Sequence, residues 1–170
     1  ADEELLCVAG QVDQWKPDLT YSDRSLLLYA LQNIAEELLA EKANIECVVF
    51  DDSRFAWFLQ PKPPTGAERS TAAACGVGAL PESNGFERLR LFAEENIDAI
   101  QRNCRRLLSL TVSVALHRQG IRWEELPDTV AELQRLLFRG TGEKQERILY
   151  LEHLEPESRD GNERRQGKMR

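Results

Sequence analysis

Methionine, histidine and cysteine are scarce in this chain of 170 residues, with one Met, two His and four Cys. The thiols, Cys7, Cys47, Cys75 and Cys104, lie far apart and form no C-x-x-C pair. Neither His117 nor His153 has a cysteine or a second histidine at ligand spacing. These absences speak against a zinc site and against a disulfide-built scaffold. They leave reduced, buried thiols as the expectation. No apolar run approaches the ~20 residues that cross a bilayer, so no membrane contact is expected. An excess of positive charge is missing too: Lys and Arg number 22 against 29 Asp and Glu, for a net charge of −7. Residues 155–170 carry five basic and four acidic groups, whereas residues 1–154 carry 17 and 25. A body of that sign does not grip a phosphate backbone over a broad surface, so no direct nucleic-acid contact is expected. The one methionine is Met169, which makes a piece of a longer protein the expectation.

What is present suffices for one domain with a core, plus extras. Residues 4–12 are apolar and β-rich and are predicted to form a strand, followed by a loop at Trp15-Lys16-Pro17-Asp18. Ser22, with Asp23 behind it, is predicted to open a helix by capping a positive dipole end. Leu27, Leu31, Ile34 and Leu38 then recur on one helical face, flanked by Leu28, Ala35 and Leu39. Residues 45–50 and 54–60 are strand-like, and Asp51-Asp52-Ser53 between them suits a tight turn, which predicts a β-hairpin. Residues 61–85, rich in Pro, Gly and small polar residues, predict a long mobile loop.

Ser83 or Asn84 is predicted to open a second helix, with Phe86, Leu89, Ala93, Ile97, Ile100, Cys104 and Leu107 as its stripe. From Leu108 the period changes to two, through Leu110, Val112, Val114 and Leu116, which predicts a strand. A third helix follows Pro127, buries Val130, Leu133 and Leu137, and stops at Gly140. Residues 148–151 form a last short strand, and 155–170 read as a disordered tail or linker. The order β-α-β-β-α-β-α-β is a split βαβ arrangement. The expectation is an α+β domain over residues 1–154, with an antiparallel sheet and helices packed on one face.

Three stretches carry a resemblance. Gln11-Val12-Asp13-Gln14-Trp15-Lys16 resembles a D-x-D-x-F-K strand end. Asp51-Asp52-Ser53-Arg54-Phe55-Ala56-Trp57-Phe58-Leu59-Gln60-Pro61 resembles a G-G-D/E-E-F hairpin followed by A-V-L-L-P. Leu110-Thr111-Val112-Ser113-Val114-Ala115 resembles a later V-T-V-S-I-G strand. Together they resemble the GGDEF-type, nucleotide-cyclase-like domain, which implies a ferredoxin-like fold over most of residues 4–151. Cyclases of that family join two nucleotides with metal held by carboxylates. The resemblance sets a neutral amide, Gln11, at the first acid, with Ser53 and Arg54 at the hairpin acids and Leu19 at the base-reading asparagine. Asp51 and Asp52 stand at the paired glycines. Their charge would repel an approaching phosphate by about 1–4 kcal/mol per pair at ~4 Å. The register therefore implies no diguanylate cyclase, no catalytic residue, no metal and no cofactor.

A narrower resemblance lies in Leu27–Leu38, in Leu110–Val114 and in Trp123-Glu124-Glu125-Leu126-Pro127. These are similar to the degenerate GGDEF-like domain of YesN-type, AraC-family response regulators. That implies a spacer between a receiver and a helix-turn-helix pair, relaying state between these flanking domains, with homodimerisation as one means. Asp13, Lys16, Asp51, Asp52 and Arg54 are the candidate remnants of a ligand cleft. Their ordinary reading is solvated loop residues and a polar turn with local ion pairs. Trp15, Trp57 and Trp123 line a cavity or anchor a core. Arg102, Arg105 and Arg106 read as a solvated helix C-terminus rather than a nucleic-acid patch. Ser109, Thr111 and Ser113 give one strand a polar face that borders a partner or a cleft.

Overall fold

The computed structural model describes residues 4–63, 84–139 and 146–151. The predicted loop core, the stop at Gly140, Cys75, His153 and the tail lie outside the described residues. In chain order the elements are β1 (Leu6–Val12), α1 (Tyr21–Leu39), β2 (Ala43–Val49), β3 (Arg54–Pro61), α2 (Asn84–Asn103), β4 (Val112–His117), α3 (Leu126–Arg139) and β5 (Ile148–Leu151). The sheet runs β2-β3-β1-β4-β5, and the fold is α+β. β1 lies at its centre, paired antiparallel with β3 and β4. A strand in that place is covered on both faces, which is why its sequence is apolar almost throughout.

Two features of the expected architecture are corrected. β5 runs parallel to β4, so the sheet is mixed. The helices also cover both faces. From α1, Leu31, Ala35 and Leu39 pack with Ala93, Ile97 and Ile100 of α2 on the face carrying Leu6, Val8, Trp57 and Val114. From α3, Val130, Leu133 and Leu137 pack on the other, against Leu5, Cys7, Ala9, Ala56, Phe58 and Ala115. One cause explains both. β4-α3-β5 is a crossover unit, and a helix linking two adjacent parallel strands must lie over the sheet. The small side chains of Cys7, Ala9, Ala56 and Ala115 leave α3 room on the second face.

Local details shift as well. α1 is capped by Thr20 rather than Ser22. Thr20 is extended, and its hydroxyl accepts from the Asp23 N–H at 3.2 Å while its own N–H donates to the Asp23 carboxylate at 2.9 Å. That reciprocal pair is a capping box with Asp at the third helical position. The centre of the buried α1 face is Leu28, Leu31, Ala35 and Leu39, with Leu27, Ile34 and Leu38 at its margin. β4 begins at Val112, later than Leu108, because Cys104–Leu108 continue α2 as a π-turn. Ser109 closes that turn at φ 53°, and the Leu110 N–H donates to the Cys104 carbonyl at 3.1 Å. Gly10 is required by packing, since a Cβ there would stand 2.3 Å from the Phe55 ring. Among the described residues no helix is long and apolar enough to cross a membrane.

Candidate functional site

The β2–β3 turn and the end of β1 meet at one rim of the sheet, where the Val12 N–H donates to the Ser53 carbonyl at 2.8 Å. Asp51 folds the turn around itself. Its Oδ1 accepts from the backbone N–H groups of Ser53 (2.9 Å) and Arg54 (2.8 Å), and its Oδ2 accepts from Arg54 Nε at 2.7 Å. Burial opposes ionisation of Asp51. The Ser53 and Arg54 hydrogen bonds and the Arg54 charge outweigh it and hold the carboxyl below its usual range. Asp52 pairs with Arg24 of α1 at 3.2 Å. Ser53 Oγ accepts from Trp15 Nε1 at 2.9 Å. The Arg24 guanidinium lies 5.8 Å from the Trp15 ring centroid. The turn is thus an internally bonded unit that ties β1, α1 and the hairpin together.

Asp13 sits on the other flank of the rim. Its N–H donates to the Thr111 carbonyl at 2.8 Å, and its Oδ2 accepts from Ser113 Oγ at 2.8 Å. The Arg147 N–H donates to the same Ser113 oxygen at 3.3 Å. The polar face of β4 therefore borders β1 and the entry to β5, not an open cleft. Lys16 is exposed, and its carbonyl accepts from the Leu19 N–H at 3.3 Å. The candidate set divides accordingly: Asp51, Asp52 and Arg54 share the turn, Asp13 belongs to the β4–β5 side, and Lys16 faces solvent.

Sequence reasoning missed the buried polar groups that organise this rim. Gln32 of α1, 7% exposed, accepts from Trp57 Nε1 at 2.6 Å through Oε1. Its Nε2 has no partner among the described residues. Gln101 of α2 donates to the carbonyls of Val112 (3.0 Å) and Arg147 (3.1 Å). Glu146 pairs with Arg105, and its other oxygen is buried without a partner among the described residues. The available signal was a glutamine inside each apolar stripe, Gln32 one turn after Leu28 and Gln101 one turn after Ile97. The tryptophans line no common cavity: Trp57 is fully buried 5.1 Å from Phe55, Trp15 caps the turn, and Trp123 is half exposed ahead of α3.

Arg102 pairs with Asp98 at 3.5 Å. With Arg105 and Arg106 it lines an open depression of about 390 Å³ at the end of α2. A second groove of about 340 Å³ runs between α1 and the turn, lined by Tyr21, Leu28, Tyr29, Gln32, Val49 and Phe50 among others. Burial pushes the thiols of Cys7, Cys47 and Cys104 up to about 12, so they stay protonated at neutral pH. Among the described residues no cluster of three His, Cys, Asp or Glu side chains is placed to hold a metal.

Burial raises the carboxyls of both Asp13 and Glu146, against the pull of Ser113, Gln11 and Arg147 on the first and of Arg105 on the second. Asp13 and Asp98 push Glu146 up further. Each group binds its proton more tightly folded than unfolded. The stability this gives is fully present below the unfolded value of about 4 and is lost as pH rises through the folded value. Urea midpoints measured upward from about pH 4 should therefore favour Glu146→Gln progressively over the parent chain. A parent-to-variant gap that stays constant with pH would contradict this account.

Comparison with protein-family profiles, with curated proteins and with solved structures yields no match.

Proposed function

We propose that this chain is a non-catalytic regulatory module, the degenerate GGDEF-like middle domain of an AraC-type two-component response regulator. It works in the cytoplasm by contact with flanking receiver and helix-turn-helix domains, or with a second copy of itself. The observation that carries the reading is the state of the hairpin. Asp51 and Asp52 are spent on Arg54, Arg24 and the turn backbone, and the hydroxyl of Ser53 is spent on Trp15. A turn bonded in this way holds elements in register. It offers no pair of open carboxylates at the place where cyclases of that family carry metal. The test is direct: the purified chain, given GTP with magnesium or manganese, is expected to form no cyclic di-GMP. Clear turnover would overturn the proposal.

A second reading, a small-molecule or nucleotide sensor with a degenerate cleft, is favoured by the groove between α1 and the turn. A buried amide nitrogen on Gln32 in its wall, without a partner among the described residues, is a donor that a ligand carbonyl would satisfy. A thermal-shift screen of nucleotides and sugars separates the two. An unmoved melting point supports the contact role, and a saturable shift with one compound supports the sensor.

A further inference from the structure

The groove between α1 and the β2–β3 turn combines aromatic sides with a buried polar group. Along α1, Leu28 and Gln32 lie one turn apart, and Tyr21, Ser25 and Tyr29 run beside them at the same four-residue spacing. Val49 and Phe50, at the end of β2, close the opposite side. Tyr21 and Tyr29 are 74% and 67% exposed, and Phe50 is 46% exposed. Three open rings on one groove leave apolar surface in water that an aromatic ligand seated among them would cover.

Gln32 sets the polar demand. An indole N–H only donates, so the Gln32 atom 2.6 Å from Trp57 Nε1 is the carbonyl oxygen, and the orientation of the amide is settled. Trp57 lies in the core and not in the groove wall, which puts Nε2 on the groove side of the same amide. Gln32 is 7% exposed, and Nε2 has no acceptor among the described residues. A buried donor left unmade is costly, and an acceptor brought in by a ligand relieves that cost. Ser25 Oγ spends its hydrogen on the Tyr21 carbonyl at 3.1 Å, which leaves its lone pairs as acceptors on the groove. At the mouth, Asp51 and Asp52 are paired with Arg54 and Arg24. Those cations are already engaged, and the two acids repel a phosphate or carboxylate.

We propose that this groove binds an uncharged aromatic carboxamide, its ring among Tyr21, Tyr29 and Phe50 and its carbonyl accepting from Gln32 Nε2. One donor and one acceptor between apolar rings suit the two ends of an amide, whose N–H has Ser25 Oγ to meet. The proposal rests on the sensor reading above and narrows it to flat, neutral compounds without phosphate. A volume of about 340 Å³ stands at the small end of the ~300–1,000 Å³ of ligand sites, which suits one or two fused rings. Binding also reaches the core. An amide that donates through its nitrogen accepts more strongly at its oxygen, so the Trp57 N–H reports the ligand from inside the sheet.

Two-dimensional NMR of the whole chain, with naphthalene-2-carboxamide as the probe, tests it. Saturable shifts are expected at the Gln32 side-chain amide and at the Trp57 indole N–H, with a dissociation constant at or below about 1 mM. Naphthalene-2-carboxylate, the same shape with a charge, is expected to bind about tenfold more weakly or worse. Gln32→Glu keeps an oxygen for Trp57 and removes the amide donors, and should weaken the probe about tenfold or more. Where circular dichroism shows that variant unfolded, Tyr29→Ser, at an exposed site, carries the test with a loss of about threefold or more. Equal binding of carboxamide and carboxylate, a probe indifferent to the folded variant, or no shift at Gln32 and Trp57 would each overturn the proposal. The sensor reading is judged separately by the nucleotide and sugar screen, which a failed carboxamide leaves open.

Discussion

Leu133→Ala is expected to lower folding stability by about 2–5 kcal/mol. Leu133 is fully buried between α3 and the second face of the sheet. Its neighbours there include Cys7, Ala9, Ala56 and Ala115, short side chains on rigid strands that cannot swing in to fill the space. The loss therefore lies toward the upper part of that range, set by the cavity as well as by the lost burial. Against a total of about 5–15 kcal/mol for a domain, this is a large share. A denaturant midpoint that falls with an unchanged slope is the expected readout. A loss under ~1 kcal/mol, the scale of a surface substitution, would mean that α3 does not pack on this face.

Gln32→Leu is expected to cost about 1–3 kcal/mol, because it strips the partner from the indole N–H of Trp57 inside the core. The variant also removes an amide nitrogen that has no partner among the described residues, so part of the loss is returned. The double-mutant cycle with Trp57→Phe isolates the bond. Phe has no N–H to leave stranded, so Gln32→Leu should be nearly harmless in that background, apart from the cavity common to both. A coupling of about 0.5–3 kcal/mol between the two substitutions is expected. Additive effects would show that the 2.6 Å contact holds no energy and that Gln32 serves the groove rather than the core.

Both predictions involve residues whose environment was only half legible in the chain. The apolar stripe of α3 was readable, since Val130, Leu133 and Leu137 recur at helical spacing. Which sheet face the stripe covers was not. Gln32 was readable as part of the first helix, but its burial depends on Trp57 lying across from it, 25 residues away in the chain. The hairpin turn was placed correctly at Asp51-Asp52-Ser53, and its ordinary reading, local ion pairing, describes the Asp51–Arg54 bridge at 2.6 Å. The partners of Asp52 and Ser53 were out of reach of local reasoning, because Arg24 and Trp15 arrive from the far side of α1 and β1. Asp13 and Lys16, three residues apart, have little in common once folded, since β4 takes up one and solvent the other.

By itself the sequence determined the eight elements and their order, and the α+β class. Periods of two and of 3.6 are properties of neighbouring side chains on one strand or helix. The scarcity of histidine and the spread of cysteine likewise narrowed the chemistry before any fold was known. Only the tertiary structure decided that β5 lies parallel to β4 and that α3 crosses to the second face. It alone brought Glu146 to Arg105 and set β2 at the edge of the sheet. Those outcomes depend on strand order and crossover direction, which join residues 25 to 100 positions apart. A local periodicity says that a face is apolar, and the chain's path through space says what covers it.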